Sequence, residues 1–111
     1  MNKYRAIATV VGGHRFDSKK EAGRYQELKV LEKRGIIKNL ELQRSFELIP
    51  TQKDSNGKTV EQKCTYKADF CYTQDGEFIV EDVKSPATRT STYVLKRKLM
   101  LWVHGIRIRE I

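Results

Sequence analysis

The sequence has few cysteines, few prolines and no long apolar run. Its two cysteines, Cys64 and Cys71, supply neither the paired framework of a disulfide-dense secreted protein nor four ligands for a structural zinc. They lie seven apart, at opposite parities if on one strand, and read as packing residues. No apolar stretch reaches the roughly 18 residues of a membrane span. The start, MNKYRAIATVVGGHRF, holds Lys3 and Arg5 but no long apolar segment and no small-residue cleavage site, so no signal peptide is expected. Gly-rich phosphate loops, serine elbows and zinc patterns are absent. His14 and His104 stand alone, without a partner at metal spacing. A cytoplasmic protein with no membrane partner is the expectation.

What is present is positive charge. The 111 residues hold 22 Lys and Arg against 14 Asp and Glu, a formal charge of +8. That length suits one domain over 1–111. The charge points to a nucleic-acid partner, or simply to a solvated basic surface. The basic residues form no single stripe.

Local chemistry marks the elements. Ala6 to Val11 reads as a short strand ending at the Gly12-Gly13 turn. Ser18 and Glu21 form an S-x-x-E capping box. Ala22, Tyr25, Leu28 and Leu31 follow at helical spacing, and Gly35 is a natural stop, which predicts a helix over 18–34. Residues 36–49 read as one strand, or as two joined by a bulge near Arg44-Ser45. Residues 51–63 contain Asn-Gly and read as a hairpin tip or mobile loop. Over 65–73, alternation puts Tyr66, Ala68, Phe70 and Tyr72 on one face and Lys67, Asp69 and Cys71 on the other. After the Asp75-Gly76 turn, 77–84 places Phe78, Val80, Asp82 and Lys84 together, with Glu81 facing away. Ser91 or Thr92 opens a second helix over 91–104, with an expected apolar stripe of Leu95, Leu99 and Trp102 beside Val103. The last strand is 106–111. The order predicts an α/β fold with a mixed central β-sheet flanked by two main helices, the final strand–helix–strand unit being parallel.

The chemistry lies between Tyr66 and Lys84. An Asp in mid-strand is unfavourable by propensity, and Asp69 sits among apolar and aromatic neighbours. Asp82 and Lys84 share one face at the end of the next strand. Carboxylates converging across a hairpin suit Mg²⁺, which takes one or two carboxylates and keeps its waters. A nearby lysine can orient a water or stabilise developing charge, so the set suits phosphodiester hydrolysis. Glu81 is the rival to Asp82, and strand parity favours Asp82.

Asp69, twelve intervening residues and then Asp82-Val83-Lys84 resemble the core pattern of the PD-(D/E)xK nuclease superfamily. More closely, the runs FDSKKEA, LELQRSFEL, ADF and EDVKS resemble a group of small phage-borne proteins. The chain is also similar to archaeal Holliday junction resolvases and to the endonuclease subunit of a cut-and-paste transposon. Ala68 stands where a proline or larger apolar residue is usual, and Asp82 where Glu is commoner.

The resemblance implies a restriction-endonuclease-like core and a DNA endonuclease dependent on Mg²⁺ or Mn²⁺. Glu21, Asp69 and Asp82 would hold the metal, with the Val83 carbonyl as a further ligand, and Lys84 would act on the water or the developing charge. It implies products with a 5′-phosphate and a 3′-hydroxyl. It also implies a phage or mobile-element role in recombination, replication or packaging inside a bacterial host, and allows a homodimer or a phage partner. Glu21 has a second reading as a plain capping residue, and Gln43 as a surface polar residue. Lys19, Lys20, Arg24, Gln43, Arg89, Tyr93 and Lys96 are the candidate nucleic-acid contacts, with Tyr93 alternatively a core residue. Two other readings stay open: a non-catalytic nucleic-acid-binding module, and a partner-dependent subunit of a larger DNA-processing complex.

Overall fold

The computed structural model describes residues 9–111. Lys3, Arg5 and positions 6–8 of the expected first strand lie outside the described residues. Strands β1 (Thr9–Val11) and β2 (His14–Phe16) form a hairpin in which Val11 faces His14 across Gly12-Gly13. Both glycines have positive φ, 58° and 81°, as a tight two-residue hairpin turn requires.

Helix α1 (Lys19–Lys33) begins where the capping box places it. The Glu21 backbone N–H donates to Ser18 Oγ at 3.1 Å. Gly35, at φ 76°, follows the last turn. Ala22, Tyr25 and Leu28 are buried on the inward face.

The strands that follow are β3 (Lys38–Leu42), β4 (Ser45–Ile49), β5 (Gln52–Lys53), β6 (Thr59–Glu61), β7 (Cys64–Lys67), β8 (Phe70–Gln74) and β9 (Glu77–Asp82). Helix α2 (Ser91–His104) and β10 (Arg109–Glu110) complete the chain. The central sheet has the order β10-β9-β8-β3. β3, β8 and β9 pair antiparallel, and β9 with β10 is parallel, as the strand–helix–strand reading expects. The final strand is shorter than expected, Arg109–Glu110 rather than 106–111.

Alternate residues of the sheet pack on opposite helices. Phe70, Tyr72 and Ile79 join α1 through Ala22, Tyr25 and Leu28. Cys71 and Val80 join α2 through Tyr93 and Met100. The architecture is therefore mixed α/β with a helix on each face of the sheet. Leu28, Phe70 and Met100 are wholly inaccessible, and burying such a side chain contributes about 1.5–3 kcal/mol.

Three expectations are corrected. First, residues 65–73 are not one alternating strand. Tyr66 and Ala68 face α2, but Phe70 and Tyr72 face α1, so the parity slips by one at Asp69. The cause is a paired bend. Gln43 takes φ 57° and donates its N–H to the Asp69 carbonyl at 3.2 Å, while the Ala68 N–H donates to the Arg44 carbonyl at 2.9 Å. Of the two readings for 36–49, two strands joined by an irregularity is the one observed. The slip also sets Cys64 and Cys71 on the same α2-side core, both as free thiols.

Second, of the expected α2 stripe only Leu99 packs against the core, and it is partly buried; Leu95, Trp102 and Val103 do not. Trp102 is 85% exposed, and Leu95 and Val103 are also exposed. The buried residues are Tyr93 and Met100, because α2 meets the sheet along that side. Third, the cap of α2 is Thr90, whose hydroxyl accepts the Tyr93 N–H at 3.1 Å, rather than Ser91 or Thr92.

Residues 51–63 form the hairpin tip rather than a structureless loop. Asp54 Oδ1 accepts the N–H groups of Asn56 and Lys58 at 2.9 and 3.0 Å, organising the turn between β5 and β6.

Candidate active site

The bend that breaks strand parity also builds the site. It sets Asp69 beside the end of β9, where Asp69 Oδ2 accepts the Val83 N–H at 2.8 Å. Gln43, held in its left-handed conformation, points its amide at two carboxylates. Nε2 lies 3.3 Å from Glu21 Oε1 and 3.4 Å from Asp69 Oδ1. The capping geometry at the start of α1 places Glu21 at this end of the sheet, buried.

Asp82 is buried on the α2 side of β9. Lys84 Nζ lies 3.0 Å from Asp82 Oδ1, and the Tyr66 hydroxyl donates to Asp82 Oδ2. Burial and the Asp82 charge hold the Tyr66 hydroxyl above the usual phenol range, so it stays a donor. The Lys84 ammonium also sits over the Tyr93 ring, 3.9 Å from its centre. Lys20 Nζ donates to the Lys84 carbonyl at 2.7 Å and ties α1 to this segment.

The carboxylates strain one another. Burial first, then the charges of Asp82 and Glu21, push Asp69 up to about 8, against the pull of the Val83 N–H. Burial and the Asp17 charge raise Glu21, and Asp82 adds to the effect. Such crowding is the electrostatic mark of a site that favours a bound cation or a shared proton.

The site opens through a shallow cleft of ≈ 340 Å³. Asp69, Asp82 and Lys84 form one part of it, Tyr66 and Lys67 another, and Thr90, Thr92 and Lys96 border it from the start of α2. A larger hollow of ≈ 430 Å³ lies between α2 and β10, beside Arg97, Lys98 and Arg107. Its one carboxylate, Glu110, is already engaged by Arg89, Arg97 and the Tyr93 hydroxyl at 2.8, 3.0 and 2.8 Å.

The structure brings Glu21, Gln43, Asp69, Asp82, Val83 and Lys84 together. Among the described residues, no three His, Cys, Asp or Glu side chains form a ready-made metal cage. Magnesium asks for less, since one or two carboxylates and its own waters suffice.

The expected nucleic-acid contacts divide. Lys96 borders the cleft, and Lys19 and Lys20 are exposed on α1. Arg24 is corrected. Its guanidinium grips buried Glu81 through Nε and a terminal nitrogen at 2.8 and 2.6 Å, and it also contacts Glu27. Arg24 and Glu81 occupy the opposite face of the sheet from Asp82, so Glu81 is no rival at this site. Tyr93 is buried beneath Lys84 and is a support for it, not a surface contact. Arg89 is engaged with Glu110.

Sequence reasoning missed Tyr66 and Glu110. Tyr66 reads as an ordinary apolar strand position, and only its hydroxyl reaches Asp82. Glu110 stands in IRIREI, where nothing local marks a hub for three donors. His104 was expected only at a helix end. Its Nε2 makes a 2.7 Å hydrogen bond with the Glu47 carbonyl, joining α2 to β4.

Among the described residues, no helix is long and apolar enough to cross a membrane. No curated protein and no solved structure gives a significant match to the chain. A family model described as a protein of unknown function, DUF1064, matches residues 1–106, and the chain belongs to that family.

Proposed function

We propose that this protein is a divalent-metal-dependent DNA endonuclease built on the restriction-endonuclease-like core. One observation carries the reading. Asp82 and Lys84 stand 3.0 Å apart at the end of β9, with Asp69 bonded to the intervening Val83 N–H. That is a (D/E)-x-K segment and its preceding acid gathered at one cleft. Glu21 joins them through Gln43.

The donor set suits Mg²⁺ or Mn²⁺. Hard carboxylate oxygens crowd one another there, and the half-buried Asp69 carboxyl, raised first by desolvation and then by its neighbours' charges, gains by facing a cation. Glu21, Asp69, Asp82 and the Val83 carbonyl would hold the ion. When bound, it supplies Lewis acidity and a lowered water pKa. Lys84 places a positive charge beside Asp82 for the developing charge on phosphorus-bound oxygen. Lys96 and the start of α2, which carries no acidic residue in its first turn, face the incoming phosphate. In the reaction a water oxygen bonds to phosphorus, the bond from phosphorus to O3′ breaks, and O3′ leaves with a proton. The products carry a 5′-phosphate and a 3′-hydroxyl. The likeness of FDSKKEA, ADF and EDVKS to small phage-borne proteins extends the reading to a structure-selective role on phage or mobile-element DNA.

The test is a cleavage panel of linear duplex, single-stranded, flapped and four-way-junction DNA. Each is incubated with Mg²⁺, Mn²⁺ or EDTA, using wild type, Asp82→Ala and Lys84→Ala. Metal-dependent cutting that both substitutions abolish is the expected result. No cutting of any substrate, with DNA binding that survives Asp82→Ala, would sink the enzyme reading in favour of a binding module or a partner-dependent subunit.

A further inference from the structure

The arm formed by β4 to β7 leaves the central sheet at the Gln43–Asp69 bend, so its root is the candidate active site itself. Its near half packs on α2 through Phe46, Leu48 and Tyr66. Its far half does not pack on anything described. Every residue from Gln52 to Lys63 is exposed, on both faces of the two-stranded ribbon. A lone two-stranded ribbon has no core of its own to stabilise it.

The charge on the ribbon identifies the occupant. Lys53, Lys58 and Lys63 are exposed, and Lys67, at the root, borders the active-site cleft. No ion pair is formed by any of these four among the described residues. Two acids oppose them on the ribbon: Asp54, whose carboxylate accepts the Asn56 and Lys58 N–H groups of the turn, and exposed Glu61, so the lysines lead by one charge over 52–63 and by two with Lys67. The ribbon has no aromatic residue between Thr51 and Lys63, so it offers no stacking platform for unpaired bases. Double-stranded RNA presents a major groove too narrow and deep for side-chain readout. The DNA major groove, in contrast, admits a two-stranded β-ribbon.

We infer that the ribbon over residues 52–63 enters the major groove of duplex DNA and sets the duplex against the candidate active site. This rests on the DNA-endonuclease reading for its purpose, but not for its test. The ribbon lysines neutralise backbone phosphates along the groove edges, while Gln52, Asn56 and Gln62 are the polar side chains placed to meet base edges.

The test is binding, measured in EDTA so that no cutting occurs. Fluorescence anisotropy compares wild type with the triple variant Lys53→Gln/Lys58→Gln/Lys63→Gln on duplex and on single-stranded DNA over a salt series. All three side chains are exposed, so the variant should keep its fold, and circular dichroism checks this. The expected result is a loss of about tenfold or more on duplex, with the salt slope reduced by about one for each lysine that meets a phosphate. Duplex with bulky 5-substituted pyrimidines, which fill the major groove, should bind wild type more weakly and the variant no more weakly than plain duplex. Unchanged duplex affinity in the variant would overturn the inference, as would an equal loss on single strands or indifference to the bulky bases. Failure of the nuclease reading is separable, because it would show as intact ribbon-dependent binding without any metal-dependent cutting.

Discussion

The Lys84 ammonium lies 3.9 Å from the centre of the Tyr93 ring while it pairs with Asp82 at 3.0 Å. The ring is itself anchored, since its hydroxyl donates to Glu110 at 2.8 Å. Removing the hydroxyl and removing the ring should therefore differ. Tyr93→Phe keeps the cation–π seat and loses one hydrogen bond, at a cost of about 1 kcal/mol of stability. Tyr93→Leu loses the seat as well, a contribution of about 0.5–2 kcal/mol. Cleavage kinetics should show a fall in kcat for Tyr93→Leu with little change in KM, and near wild-type kcat for Tyr93→Phe. Equal losses in both variants would mean that Tyr93 matters only for stability.

The Arg24–Glu81 pair should be structural and nothing more. Glu81 is wholly inaccessible, and the Tyr72 hydroxyl also donates to it. Arg24→Ala leaves that carboxylate buried without its cation, which typically costs about 3–5 kcal/mol. The double change Arg24→Met/Glu81→Leu removes both charges and should recover most of the loss in chemical denaturation. Cleavage per folded molecule should be unchanged in the double variant, whereas Asp82→Asn should abolish it. Loss of cleavage in the folded double variant would reopen the choice between Glu81 and Asp82.

Gln43 should trade stability for function. Its φ of 57° is disfavoured for a residue with a Cβ by about 1–2 kcal/mol. Gln43→Gly relieves that strain and removes the amide that joins Glu21 to Asp69. Thermal melting should show a gain or no loss, while metal affinity or cleavage falls by about 10–100-fold. A variant that is both less stable and fully active would contradict this account.

The metal-free protein should lose stability as pH rises from about 4 to about 8. Asp69 titrates up to about 8 when folded, against a usual 3.8. Between those values the folded state keeps a proton that the unfolded chain has released. Stability therefore falls through this window and levels off above it. Asp69→Asn should flatten that part of the pH–Tm profile. Added Mg²⁺ competes with the same proton, so it should stabilise more above the window than within it. A wild-type profile that Asp69→Asn leaves unchanged would show that Asp69 is ordinary.

Much of the fold was legible because its signals are local. Ser18 and Glu21 start α1, Gly35 follows its end, and Asp75-Gly76, with φ of 51° and 79°, closes the β8–β9 hairpin. The β9–α2–β10 unit follows from order alone. The site was legible where it depends on neighbours in one strand, since Asp82 and Lys84 must share a face two residues apart. Glu21 and Gln43 could be named but not joined, because the amide that links them spans 22 positions.

The errors come from positions where local chemistry allows two outcomes. Helical spacing showed that Leu95, Leu99 and Trp102 share a side of α2, but not that the core would reach only Leu99 of them and centre on Tyr93 and Met100. Alternation over 65–73 assumed an unbroken strand, and the slip at Asp69 arises from the conformation of Gln43 in the bend between β3 and β4, far away in the chain. Arg24 looked like a free surface cation until its partner, 57 positions away, came into contact.

By itself, then, the sequence determined the helices, the turns, the basic balance and the pair Asp82 and Lys84, all set by contacts within a few residues. Only the tertiary structure decided which face of α2 is covered, which glutamate Arg24 neutralises, and that one bend gathers Glu21, Gln43 and Asp69 beside Asp82. Those outcomes depend on packing and charge pairing between segments far apart in the chain, where burial and Coulomb energy override local preference.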